Sequence, residues 1–290
     1  MKRKSMTKTL KTIIVTLFFI GFIKTSAAQE EKWIFLPPTN LFKPLLADLR
    51  EPAIGLTASN NLTRYDLSLG GSLDLIQWKP SGGNLWAMGI LGACYLNIIR
   101  YDWASYRLED GDSWYGFYAS QSSGNFTNRL EFRHGSSHLG DTLFGNQTLS
   151  FYGQTFVDQT AIPYERDLIQ FTDAYQPCDS FRIYGGLGYW LDAVPSIQPF
   201  FVHLGTELFS PCFNLGVSFL CGYFAYDLKI GDQSGGIADQ NFQLGVRYKL
   251  SAKNQSFLRL ALTYYNGVNE FGQFYQQNDT HWGLGLFLDP

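Results

Sequence analysis

Hydrophobic and polar residues alternate along most of this chain. In DLSLGGSLDLIQW, starting at Asp66, residues Leu67, Leu69, Leu73 and Leu75 are set against Ser68, Ser72 and Asp74. NFQLGVRYKL sets Phe242, Leu244, Val246, Tyr248 and Leu250 against Gln243, Arg247 and Lys249. FLRLALTYY sets Leu258, Leu260, Leu262 and Tyr264 against Arg259 and Thr263. The final segment alternates Trp282, Leu284, Leu286 and Leu288 with glycines. A period of two means a β-strand with one apolar and one polar face. About a dozen such segments occur, each roughly 9–11 residues, the span a tilted strand needs to cross a bilayer. Turn-forming stretches separate them, at 59–61, 79–84, 120–125, 231–236 and 251–255. Helical periodicity is scarce.

This pattern predicts an all-β chain, a transmembrane antiparallel β-barrel of about 12 strands. A β-sandwich would alternate too, but its strands usually run to five or six residues. The last strand carries the aromatic-rich WGLGLFL of a barrel's terminal strand, although the chain ends in Pro290. Aromatics make up 17% of the residues, with 17 Tyr and 24 Phe, as girdles at two membrane interfaces require.

The first residues set the destination. Lys2, Arg3, Lys4, Lys8 and Lys11 precede the apolar run Thr12 to Ile23, and Ser26 and Ala28 follow at cleavage spacing. This is the form of a secretory signal peptide; the run is too short for a spanning helix. No cysteine follows the cut, which argues against a lipid anchor. The expected division is a signal peptide at 1–28, a periplasmic segment at 29–52 and a barrel at 53–290. Cleavage would remove six of the 22 Lys and Arg and none of the 25 acids, leaving a formal charge of −9. That balance argues against nucleic acid as a partner. The expected location is the bacterial outer membrane, with outer-membrane lipids, barrel-assembly machinery and periplasmic chaperones as partners.

Cys94, Cys178, Cys212 and Cys221 form no C-x-x-C pair, so a zinc ribbon or thioredoxin motif is absent. One disulfide is compatible with an oxidising compartment, and the sequence does not assign it. Five N-x-S/T sites, at Asn61, Asn125, Asn146, Asn254 and Asn278, fall where turns favour such residues anyway.

Two stretches stand out: LFKPLLADLREPAIGL, Leu41 to Leu56, and FRHGSSHLGD, Phe132 to Asp141. Together they resemble an uncharacterised bacterial envelope family, a domain of unknown function with signatures F-x-P-L-L-A-D-x-R-x-P and H-x-S-S-H-L-G-D. The resemblance implies an outer-membrane barrel and carries no activity. Members of that family are typically longer, which would make this chain a reduced version. From its place before the first strand, Leu45, Leu46 and Ala47 are expected to pack into the barrel mouth. Asp48 and Arg50 are expected to pair with lumen charges.

The second stretch carries the candidate chemistry. Read as a strand, it puts Arg129, Glu131 and Arg133 toward the lumen and Phe126, Leu130 and Phe132 outward. The outward positions then continue with His134, Ser136 and His138. Polar groups are costly against hydrocarbon, so their presence there asks for a reason. Two outer-membrane lipid hydrolases, phospholipase A and lipid A deacylase, resemble this stretch in having His and Ser two apart on an exterior strand face. That resemblance implies Ser136 as nucleophile and His134 as base, with Asp141 or Asn146 orienting the imidazole. A metal reading uses His134, His138 and Asp141, whose N and O atoms suit Zn²⁺. On a straight strand, positions i and i+4 lie about 13 Å apart, so it requires a turn near Gly135. The acidic run Glu109, Asp110, Asp112 has oxygen ligands of the Ca²⁺ kind, within a long outer connection over 99–111. The plainest reading needs no ion or cofactor: Ser136 and Ser137 cap backbone, and Asp141 accepts amides. His203 and His281 read as isolated interface or lumen residues. The expected function is therefore a structural, interaction or narrow-pore barrel, with a Ser/His lipid hydrolase as the alternative.

Overall fold

The computed structural model describes residues 32–81, 83–100, 102–140, 149–151, 154–156, 161–214, 216, 218–231, 238–249 and 256–289. The proposed signal peptide, Asp141 and Asn146 lie outside them. Among the described residues fifteen strands follow in chain order. They are β1 (Lys32–Phe35), β2 (Ile54–Ser59), β3 (Arg64–Lys79), β4 (Leu85–Arg100), β5 (Tyr106–Ser123), β6 (Phe126–Leu139), β7 (Leu149–Phe151), β8 (Gln154–Phe156), β9 (Glu165–Cys178), β10 (Phe181–Val194), β11 (Phe200–Asn214), β12 (Phe219–Ile230), β13 (Ala238–Lys249), β14 (Phe257–Val268) and β15 (Asn278–Asp289).

Twelve of them close into an antiparallel barrel. Each pairs with its neighbour in sequence from β2 to β6, then β6 with β9, and onward to β15, which pairs back on β2. The short β1 adds to the lower part of β3, and β7 and β8 form a separate hairpin. Closure leaves no unpaired edge in the ring. All barrel strands except β2 are longer than the alternation suggested, at 12 to 18 residues. Their polar ends keep the strand geometry beyond the alternating middle.

The alternation sorts side chains as expected. Leu187, Leu244, Leu260 and Leu284 point outward and are more than half exposed. Arg129, Glu131, Gln170, Glu207 and Arg259 point inward and are buried. An outer wall this apolar is far larger than a soluble monomer tolerates, and it suits hydrocarbon. The connections differ at the two ends. One end has the tight turns 124–125 and 179–180; the other has 140–164 and 269–277.

A segment of the chain occupies part of the lumen. Residues 40–52 run inside it, since they bond to strands on every side. Leu41 N–H donates to Asp74 on β3 (2.8 Å), and Leu46 N–H to Glu207 on β11 (2.9 Å). Arg182 on β10 donates to the Lys43 carbonyl (2.8 Å), and Asn241 on β13 to that of Ala47 (2.6 Å). The expected pairing of Asp48 and Arg50 with lumen charges is present: Lys229 lies 2.5 Å from Asp48, and Arg50 lies 2.6 Å from Asp112. Glu51 receives both Nη groups of Arg129, at 2.8 and 2.7 Å. Phe42, Leu45 and Ala47 are buried against the inner wall.

Two details differ from the sequence reading. The long connection expected over 99–111 is only 101–105, because β4 runs to Arg100 and β5 starts at Tyr106. Glu109, Asp110 and Asp112 are therefore buried strand residues, not a solvated loop. Asp110 and Asp112 accept the amides of Gln273 and Gly272, tying the 269–277 connection down into the barrel mouth. A disulfide joins Cys212 and Cys221 across β11 and β12, while Cys94 and Cys178 are free and exposed.

Candidate active site

The stretch from Phe126 to Leu139 is one unbroken strand, and its two faces do different work. The inward face belongs to the plug. Arg129 and Arg133 flank Glu131, each with a nitrogen 2.9 Å from it, and Arg133 also donates to the Arg50 carbonyl (2.6 Å). Gly135 has its own reason: a Cβ there would sit 2.5 Å from the Trp114 ring, which lies over it inside the lumen. Ser137 donates to Asp110 (2.9 Å), and its carbonyl accepts from the Gln273 side chain (3.0 Å). Half of the motif is thus barrel interior.

The outward face holds Phe132, His134, Ser136 and His138, with His138 fully on the surface. His134 has a partner the sequence did not suggest. Its Nδ1 lies 2.8 Å from Oδ1 of Asp167, directly across the ladder on β9. Both side chains remain about one-third exposed, 32% and 36%. Tyr115 on β5 packs on the other side of the imidazole, with ring centroids 5.3 Å apart. Ser136 sits between its ladder partners Ser113 and Glu165. Among the described residues no hydrogen bond joins Ser136 to His134.

The arrangement has the parts of nucleophilic acyl transfer. Ser136 has the hydroxyl, and His134 lies two residues away on the same face. Asp167 fixes the ring orientation through Nδ1, which leaves Nε2 to take a proton. A signal for Asp167 was in the sequence: in ERDLIQF it is an acid on the face of Ile169 and Phe171. Its pairing with His134 was not, because the long connection 140–164 intervenes.

The metal set does not assemble from the residues described. β6 runs through Gly135 without the turn a shared ion requires, so His134 and His138 stand about 13 Å apart by strand rise. A tighter group lies in the lumen, where one ligand atom each of Asp48, His203 and Asp227 falls within 4.8 Å of the others. Those atoms already have partners. His203 Nε2 meets Asp227 (2.6 Å), Tyr184 donates to Asp227 (2.6 Å), and Lys229 neutralises Asp48. The group is an ion-paired latch between plug and wall. Burial pushes the Asp48 carboxyl up, but Lys229, His203 and Arg133 together hold it below the usual range. His203 and His281 are lumen residues, and neither is isolated: His281 bonds Asp279 at 3.1 Å.

The class these features define is a closed twelve-stranded antiparallel β-barrel, plugged within and apolar on its outer wall. The family model described as a protein of unknown function, DUF1207, matches residues 23–289, and the chain belongs to that family. Among solved structures the fold is similar to outer membrane phospholipase A from Escherichia coli. The identity is 11% and the TM-score 0.48, over 81% of this chain and 88% of that one. It is equally similar to an active-site mutant of that enzyme, at 12% identity and TM-score 0.49, over 86% and 93% of the two chains. No curated protein matches the chain.

Proposed function

We propose that the protein is a non-conducting barrel of the bacterial outer membrane, with its tight turns in the periplasm and its long connections outside. One observation carries this: residues 40–52 cross the lumen and are ion-paired to strands on several sides of it. Purified protein in planar bilayers should show no stable conductance steps, and a persistent large pore would overturn the reading.

A second reading concerns the outer wall, and the His134–Asp167 pair favours it. Buried or lipid-facing ionisable pairs are costly, and function is the usual reason to keep one. In this reading Ser136 attacks an acyl ester of an outer-leaflet lipid and His134 takes the hydroxyl proton, returning it to the leaving alcohol. Water then releases the acyl group by the same base. The group lies toward the long-connection end of β6, hence on the outer-leaflet side. The test is release of labelled fatty acid from phospholipid and from lipid A by wild type and Ser136→Ala. Release lost in a folded variant supports the reading; equal release by both eliminates it.

A further inference from the structure

The plug leaves part of the lumen open alongside it. A cavity of about 730 Å³ lies there, reaching the tight-turn mouth at Asp179, Lys249, Phe257 and Asp289. Its volume lies in the range of small-molecule sites, which are mostly apolar with a few placed polar groups. Its cations are not equivalent. Arg182 is matched by Glu207 at 3.3 Å, and Arg259 by Asp289 through two nitrogens at 2.7 and 2.9 Å. Lys43 bonds the Gln176 side chain at 3.2 Å. Arg247 is different. Among the described residues it has no carboxylate partner, and its Nε is buried without a hydrogen bond. Its guanidinium carbon lies 4.0 Å from the Phe209 ring centroid and 4.8 Å from that of Phe257. Lys249 follows two residues on, on the same inward face of β13.

These facts select a ligand chemistry. Aromatic rings over a guanidinium satisfy its faces and leave its edge, where the N–H donors lie in one plane. That edge fits an oxyanion bidentately, and a second cation about two strand rises away reaches the same charge. Phe287 and Leu46 line the cavity alongside Phe209 and Phe257, and the two carboxylates that bear on Arg247, Glu207 and Asp289, are themselves paired with Arg182 and Arg259. An inorganic anion would leave that apolar lining wet, and a neutral ring would leave Arg247 unmatched. We propose that the cavity binds an oxyanion carried on a flat apolar ring, held by Arg247 and Lys249 and entering from the periplasmic side. The site is separate from the outer wall, so it does not depend on hydrolysis there.

Phenyl phosphate is a suitable probe, with inorganic phosphate and phenol as its two halves. Calorimetry on the full chain in nanodiscs, which expose both mouths, should give one saturable site. Each half alone should bind at least tenfold more weakly. Arg247→Gln should weaken phenyl phosphate at least tenfold, and Lys249→Gln, at the rim where folding is not at stake, severalfold. Phe257→Leu should weaken phenyl phosphate while leaving inorganic phosphate unchanged. No saturable binding to wild type, or equal affinity in wild type and Lys249→Gln together with Phe257→Leu, would overturn the proposal.

Discussion

Single residues decide the chemistry at two places. The first is Asp167. If its carboxylate holds the imidazole of His134, Asp167→Asn should keep the fold and cut any lipid hydrolysis by about two or more orders of magnitude, as loss of an orienting carboxylate does. Assay of the variant beside Ser136→Ala checks this, and full activity in Asp167→Asn would remove Asp167 from the site. The second is Glu270, on the connection 269–277, whose carboxyl lies 4.0 Å from Arg50. Burial pushes it up to about 7, against the opposing pull of Arg50 and with a further push from Asp66. A carboxyl raised from 4.5 in the folded chain binds its proton more tightly there than when unfolded. Its contribution is complete at low pH and is lost as pH rises from about 4.5 to about 7, on the order of 3 kcal/mol in all. Chemical unfolding across that window should show stability falling with pH in wild type. Glu270→Gln should flatten the slope, and an unchanged slope would assign the effect elsewhere.

At the scale of elements, the plug and β6 specify one another. Glu51 from the plug and Glu131 from β6 face Arg129 and Arg133, all of them buried. The Glu131 contacts are close but lack hydrogen-bond geometry, so the directional bonds are those from Arg129 to Glu51. Replacing Glu51 by Gln leaves two guanidiniums over one carboxylate in a closed lumen. Removing one partner of a buried pair costs roughly 3–5 kcal/mol. Urea unfolding of Glu51→Gln should reveal a loss of that size, and a shift within about 0.5 kcal/mol would mean water or rearrangement supplies the missing charge.

At the scale of the whole molecule, closure of the lumen depends on thirteen residues, 40–52, rather than on barrel diameter. A twelve-stranded ring has room inside once its contents are taken out. Deletion of 40–52 should therefore turn a silent protein into one with conductance steps in planar bilayers. If the full chain already conducts, the plug does not seal. If the deleted chain folds and stays silent, inward side chains alone close the lumen.

The sequence determined what repeats. Period-two alternation decides which side chains meet an apolar surround and which meet the lumen, because a strand has only two faces. That sufficed for an all-β barrel of about 12 strands and for the outward parity of His134 and Ser136, while the pairing of Asp48 and Arg50 with lumen charges was legible from their place before the first barrel strand. Tertiary structure decided whatever depends on register between distant strands. Asp167 reaches His134 only because β9 pairs with β6 across a long connection. Cys212 finds Cys221 because a register shift after Phe209 brings the two opposite each other. The acids at 109–112 looked like a loop because the register shifts opposite Asn97 and Ile98, leaving Glu109 as an extra residue on β5 that interrupts their alternation, while the ladder carries on past it. Local pattern encodes the face of each residue; the partner on that face is set by how the ring closes.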